Sequence, residues 1–102
     1  MNKIEQAVIY NKILGSLACA GMGDALGAAT ELYSIDEIKT QWGGFLNAFV
    51  SPPADTFAGS LNGVAGLITD DSSQMYVFSE GLIEAGFDNF TNNDWLACLL
   101  RW

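Results

Sequence analysis

Residues 68–86, ITDDSSQMYVFSEGLIEAG, decide the fold. Three oxygen-bearing side chains, Thr69, Asp70 and Asp71, stand in a row ahead of Met75, Phe78, Leu82 and Ala85. Apolar residues at spacings of three and four mark one face of a helix. A glycine just past the last of them, Gly86, is the usual helix stop. The spacing predicts a helix from Asp70 or Asp71 to Ala85, with that stripe buried. Adjacent carboxylates repel, and a helix cap needs only one, so the second acid requires a reason. One reason is a doubly decorated helix start: Thr69 or Asp70 as N-cap, or Asp71 with Gln74 as a capping box, with acids favoured by the helix dipole. The other is a cation. A hydroxyl and two carboxylates suit Mg²⁺ or Mn²⁺, hard ions that prefer oxygen. Three ligands do not fill an octahedron, so water and further carboxylates would have to complete it.

Working outward, the upstream half opens on a long helical segment from about Ile4 to Leu32, expected to contain a break. Ile13, Leu14, Leu17 and Ala18 give it an apolar stripe. Gly15, Cys19, Gly23 and Gly27 recur every fourth residue, so one face carries only small side chains. Glycine inside a helix costs roughly 1 kcal/mol relative to alanine. Such a face implies close approach of another backbone or of a ligand. Asp24 lies among small and apolar residues, where a charge needs an amide, a cation or water. Glu31 follows two turns later.

YSIDEI, residues 33–38, reads as a helix start, with Ser34 as cap, Glu37 closing a capping box and Tyr33 placed to staple onto Ile38. That helix ends near Gly43-Gly44. Residues 44–68 are rich in Gly, Pro, Asn and Ser and show no sustained period. They are expected to form an ordered loop with one turn of helix, and loops this long are often functional. FDNFTNND, residues 87–94, has the Asp and Asn scatter of a calcium loop. It lacks the alternating acids, central glycine and closing glutamate, and reads as a capped turn. A last helix opens after Thr91 or Asn92 and carries Trp95, Leu96, Leu99, Leu100 and Trp102 toward a partner surface. No segment alternates as a strand would. The fold class is all-α.

Composition narrows the function. The chain has 102 residues, enough for one domain, and half of them are apolar. Twelve acids against four bases give a net charge of −8. No basic face exists for nucleic acid or an anionic membrane. There is no histidine, which removes the usual zinc sites and serine–histidine chemistry. Chemistry here has to run on carboxylates, hydroxyls and a hard metal. Cys19 and Cys98 show no metal-ligand spacing and read as buried thiols of a reducing cytosol. Residues 13–23, ILGSLACAGMG, imitate a signal-peptidase site, but Glu5 precedes them and Asp24 interrupts the apolar run. The expected location is cytoplasmic.

The segment KILGSLACAGMGDALGAATE, followed after a loop by ITDDSSQM and YVFSEGLIEAG, resembles the N-terminal part of the ADP-ribosylglycohydrolases. Order, spacing and helix placement agree over nearly the whole chain. The resemblance implies an all-α, mostly orthogonal helical fold with a pair of Mg²⁺ or Mn²⁺ ions at its centre. It implies Thr69, Asp70, Asp71 and Glu31 as metal ligands, with Glu31 or Asp71 as the catalytic acid or base. The substrate implied is an ADP-ribosylated protein or an ADP-ribose-containing small molecule. The family's threonine after the paired aspartates stands here as Ser72, which keeps the hydroxyl. Family members are about three times as long, with a second acidic cluster near the C-terminus. Residues 1–102 are thus expected to be an N-terminal fragment of the domain, its second half absent and the fragment inactive alone. Two other classes stand beside the hydrolase: a non-catalytic structural member, such as a lens crystallin, and a divalent-metal-binding helical interaction domain.

Overall fold

The computed structural model describes residues 2–102, and among them there are helices, turns and loops but no strand. The all-α reading holds. The elements are α1 (Lys3–Gly27), α2 (Ile35–Trp42), α3 (Phe57–Ser60), α4 (Asp70–Ala85), a 3₁₀ turn (Phe87–Asn89) and α5 (Asn92–Arg101). The chain forms two compact units, Met1–Ile68 and Thr69–Trp102.

In the first unit, α1 starts on a reciprocal box. The Glu5 amide donates to Asn2 Oδ1 at 2.9 Å, and the Asn2 amide donates to Glu5 Oε2 at 2.8 Å. The helix is unbroken to Gly27 and then ends in a turn through residues 28–32, so Glu31 and Leu32 are not helical. Leu32 adopts a positive φ of 67°, a conformation that an unbranched glycine would take more easily. The expected apolar stripe is not buried: Ile13 and Leu14 are both more than half exposed, and Leu17 is half-buried. The small face is open too. A β-carbon added at Gly15, Gly23 or Gly27 would meet nothing within 4 Å. Helix α1 therefore buries only Gly21 and Ala25, and Cys19 is exposed rather than buried.

Helix α2 starts and stops as its sequence predicts. Ser34 and Glu37 form the capping box, and Gly43 at φ 75° supplies the left-handed C-cap. The Tyr33 ring lies 5.9 Å from that of Trp42. The loop over 44–68 contains one helical turn, α3, and its glycines serve the loop itself. Thr56 is buried, donates to the Pro53 carbonyl at 2.7 Å and accepts from the Gly59 amide at 3.1 Å. Gly59 sits against the Pro53 carbonyl and Gly63 against that of Ala58, where a side chain would collide.

The second unit is a helical hairpin. Gly86, at φ 78°, ends α4, and Thr91 with Asp94 forms the capping box that starts α5. Helix α5 returns along α4, with Phe78 and Trp95 stacked at 3.9 Å and Phe90 edge-on to Trp95. Met75, Phe78, Leu82 and Ala85 are half-buried, not buried. The closed positions of α4 are Ser72 and Gly81. Gly81 is covered because the two helices meet there, where it lies against the buried Cys98.

Candidate metal centre at the start of α4

Thr69 is the N-cap of α4, with extended backbone, and Asp70 and Asp71 are the first two helical residues. This placement is a helix start with Thr69 as N-cap and both acids in the first turn, and of the capping alternatives it removes Asp70 as cap and the Asp71–Gln74 box. With Thr69 as cap, the third helical position is Ser72, which is too short to close a capping box, and Asp71 with Gln74 is not the cap pair. Helices α1, α2 and α5 each begin on a side-chain cap with a reciprocal glutamate or aspartate. The Thr69 side chain makes no such capping bond. Asp70 and Asp71 are both exposed and Thr69 is half-buried. Acidic residues are favoured in a first turn, where the free amides of the helix start lie.

Ser72 is buried beneath the pair, and Ser73 returns its hydroxyl to the Asp70 carbonyl at 3.2 Å. The donor set at this corner is therefore all oxygen: one hydroxyl and two carboxylates. That chemistry fits Mg²⁺ or Mn²⁺ and not a thiolate- or imidazole-seeking ion. In number it is incomplete. Among the described residues no three His, Cys, Asp or Glu side chains come together to hold a metal. Glu31 belongs to the first unit, exposed in the turn that follows α1. Asp24, in the last turn of α1, is half-buried.

Other polar groups of the structure have local explanations. Glu37 is held below the usual carboxylate range by the Ser34 hydroxyl and then by the Ser34 amide. Asp94 is lowered in the same way by Thr91. Tyr33 donates to Asp55 Oδ1 at 2.8 Å, and that bond raises the phenol above its ordinary value. No period or motif links Tyr33 to Asp55, so this pair is invisible in the sequence. A hollow of about 300 Å³ on the second unit is lined by Gly81, Glu84, Asp94, Cys98 and Arg101. Gly81 lies about 16 Å along the helix axis from Asp70, at roughly 1.5 Å per residue, so this hollow is not the acidic corner. No helix is long and apolar enough to cross a membrane among the described residues.

No curated protein and no solved structure matches the chain. A family model does, over residues 5–102, and it is that of the ADP-ribosylglycohydrolases. The match takes in the glycine-spaced α1, Glu31 and the Thr69-Asp70-Asp71 corner. With nearly the whole sequence inside it, the chain belongs to the ADP-ribosylglycohydrolase family.

Proposed function

We propose that this chain is part of a metal-dependent hydrolase that cleaves the glycosidic bond between ADP-ribose and a protein or small-molecule acceptor. Family membership supports the glycohydrolase class. The observation that supports the metal reading is the all-oxygen set of Thr69, Asp70 and Asp71 gathered at a helix start that lacks the side-chain capping bond made at α1, α2 and α5. Thr69, Asp70 and Asp71 hold one side of the site. Glu31 and carboxylates beyond these residues supply the rest, and the exposed apolar faces of α1 and α5 receive the remaining helices of the domain. Bound there, Mg²⁺ or Mn²⁺ would hold the ribose hydroxyls and make water more acidic.

The chain's own residues account for the rest of the chemistry. Cleavage at the anomeric carbon develops oxocarbenium-like charge, which nearby carboxylates stabilise. Asp71 or Glu31 takes the proton of the attacking water. Glu31 stands in a turn, outside any helical hydrogen-bond ladder, and this leaves it able to move toward substrate. The cytoplasm is the proposed location, and the two cysteines are both free thiols.

The test is Asp70→Ala and Asp71→Ala in a form of the protein that carries the complete proposed site, read by Mn²⁺ calorimetry and by melting in chelator. Each variant should lose Mn²⁺ affinity at least tenfold, about 1.4 kcal/mol. Each should cost only about 0.3–1 kcal/mol in chelator, the value of a first-turn acid. Unchanged Mn²⁺ affinity would return the pair to a helix-start role. A protein that binds Mn²⁺ but shows no heat with ADP-ribose would be a metal-binding module instead of a hydrolase.

A further inference from the structure

The far end of α5 is fastened to the first turn of α4. The Trp102 indole Nε1 donates to Ser73 Oγ at 2.8 Å, and Ser73 Oγ donates to the Asp70 carbonyl at 3.2 Å. The direction of this chain is fixed by its members. Indole nitrogen only donates, and serine has one proton and two lone pairs. With a lone pair taken by the indole, the Ser73 proton is free to point at the Asp70 oxygen. That oxygen belongs to the peptide joining Asp70 to Asp71, a rigid plane that carries both α-carbons. Holding it orients both acids at once. One turn further on, Arg101 donates to the Val77 carbonyl at 3.2 Å and pairs with Glu84 at 3.0 Å, so the end of α5 is anchored beside Trp102 as well.

We infer that Trp102 is a positioning residue for the Asp70–Asp71 pair, acting through Ser73 and the Asp70 carbonyl. The inference rests on the metal reading of that pair. Trp102 touches neither carboxylate in this role, and its indole N–H, not its ring, is the working group. Trp102 is half exposed and half of its large surface is buried, so the variant that tests it keeps a ring at this position. Its removal should loosen the first turn of α4 without unfolding the hairpin, which Gly81, Cys98, Phe78 and Trp95 hold elsewhere.

The experiment compares Trp102→Phe, Ser73→Ala and the double variant with the unaltered protein. Two measurements are made: Mn²⁺ dissociation constants by calorimetry, and amide hydrogen exchange of residues 71–74 in chelator. Each single variant should weaken Mn²⁺ binding about three- to tenfold, the equivalent of one hydrogen bond. The double variant should be no weaker than the weaker single, since both cut the same chain. Exchange in the first turn should quicken while that around Gly81 stays unchanged. Trp102→Phe with Mn²⁺ affinity within twofold of the unaltered protein would overturn the inference, as would losses that multiply in the double variant. Should Trp102→Phe not fold, replacement of Trp102 by benzothienylalanine, which keeps the fused ring and lacks the N–H, decides by the same two readouts. If the unaltered protein takes up no Mn²⁺ even in a form extended by the further carboxylates the proposed site calls for, the metal reading itself falls and this inference falls with it. Binding that is intact in both the unaltered protein and Trp102→Phe removes only the positioning role.

Discussion

Gly81 and Cys98 meet so closely that a β-carbon on residue 81 would overlap the Cys98 sulfur. The Phe90 ring edge lies 3.5 Å from the same point. The α4–α5 hairpin is therefore set by the absence of a side chain. In a solvent-facing helix, glycine to alanine stabilises by roughly 0.5–1 kcal/mol. Here the sign should reverse. Gly81→Ala is expected to lower stability by about 1–3 kcal/mol through overpacking. Adding Cys98→Ala to it should recover most of that loss, although Cys98→Ala alone destabilises. Chemical denaturation of the four proteins measures the coupling. Additive effects would show that the helices do not meet at this contact.

The capping acids give α2 and α5 a shared response to pH. Glu37 and Asp94 are both lowered in the folded chain, first by the cap hydroxyl and then by the cap amide. A lowered folded value means that the contribution is fully present above the ordinary carboxylate range. It is lost as pH falls through the lower folded value. Helix content should therefore be constant from neutral pH down to about pH 5 and decline below about pH 4. Glu37→Gln should remove the acid-dependent step of α2, because the amide still reaches back to the cap but does not titrate. Carbonyl-detected NMR of residues 34–38 across that range checks it. An unchanged acid transition in Glu37→Gln would place the cause elsewhere.

Local chemistry was legible in the sequence, and tertiary burial was not. Ser34 with Glu37, Gly43 and Gly86 fix helix ends through bonds spanning three or four residues, so pattern alone locates them, while at α5 pattern leaves Thr91 or Asn92 and the structure selects Thr91 with Asp94. The burial of Met75 or Ile13 depends on what else is packed against the helix, and periodicity is silent on that. The same limit explains the glycines. Gly59, Gly63 and Gly81 are required by close contacts, but Gly59 and Gly63 sit in an aperiodic loop and Gly81 stands alone in its helix. The regular row at Gly15, Gly23 and Gly27 draws the eye and faces open space. At the acidic corner, sequence places the three oxygen donors and leaves two readings. The position of the cap at Thr69 then removes the Asp71–Gln74 box. The Trp102–Ser73 bond joins positions 29 apart, beyond the reach of any local rule.

That open row on α1 leads to a test of what the helix is for. Gly15 and Gly23 lie inside a regular helix, neither has a positive φ, and an added β-carbon at either meets nothing. Each therefore carries the entropic cost of glycine with no contact in these 102 residues to offset it. Gly15→Ala and Gly23→Ala should each stabilise α1 by about 0.5–1 kcal/mol, and the pair should be additive because the two sites share no neighbour. Thermal unfolding followed by circular dichroism measures this directly. The informative comparison is the same pair of substitutions in a form of the protein extended by the further helices that the proposed function calls for. Stabilisation there as well would make the small face a solvent-facing surface. Loss of stability there, against a gain in the 102-residue chain, would show that another backbone closes on this face and that the glycines are kept for its approach.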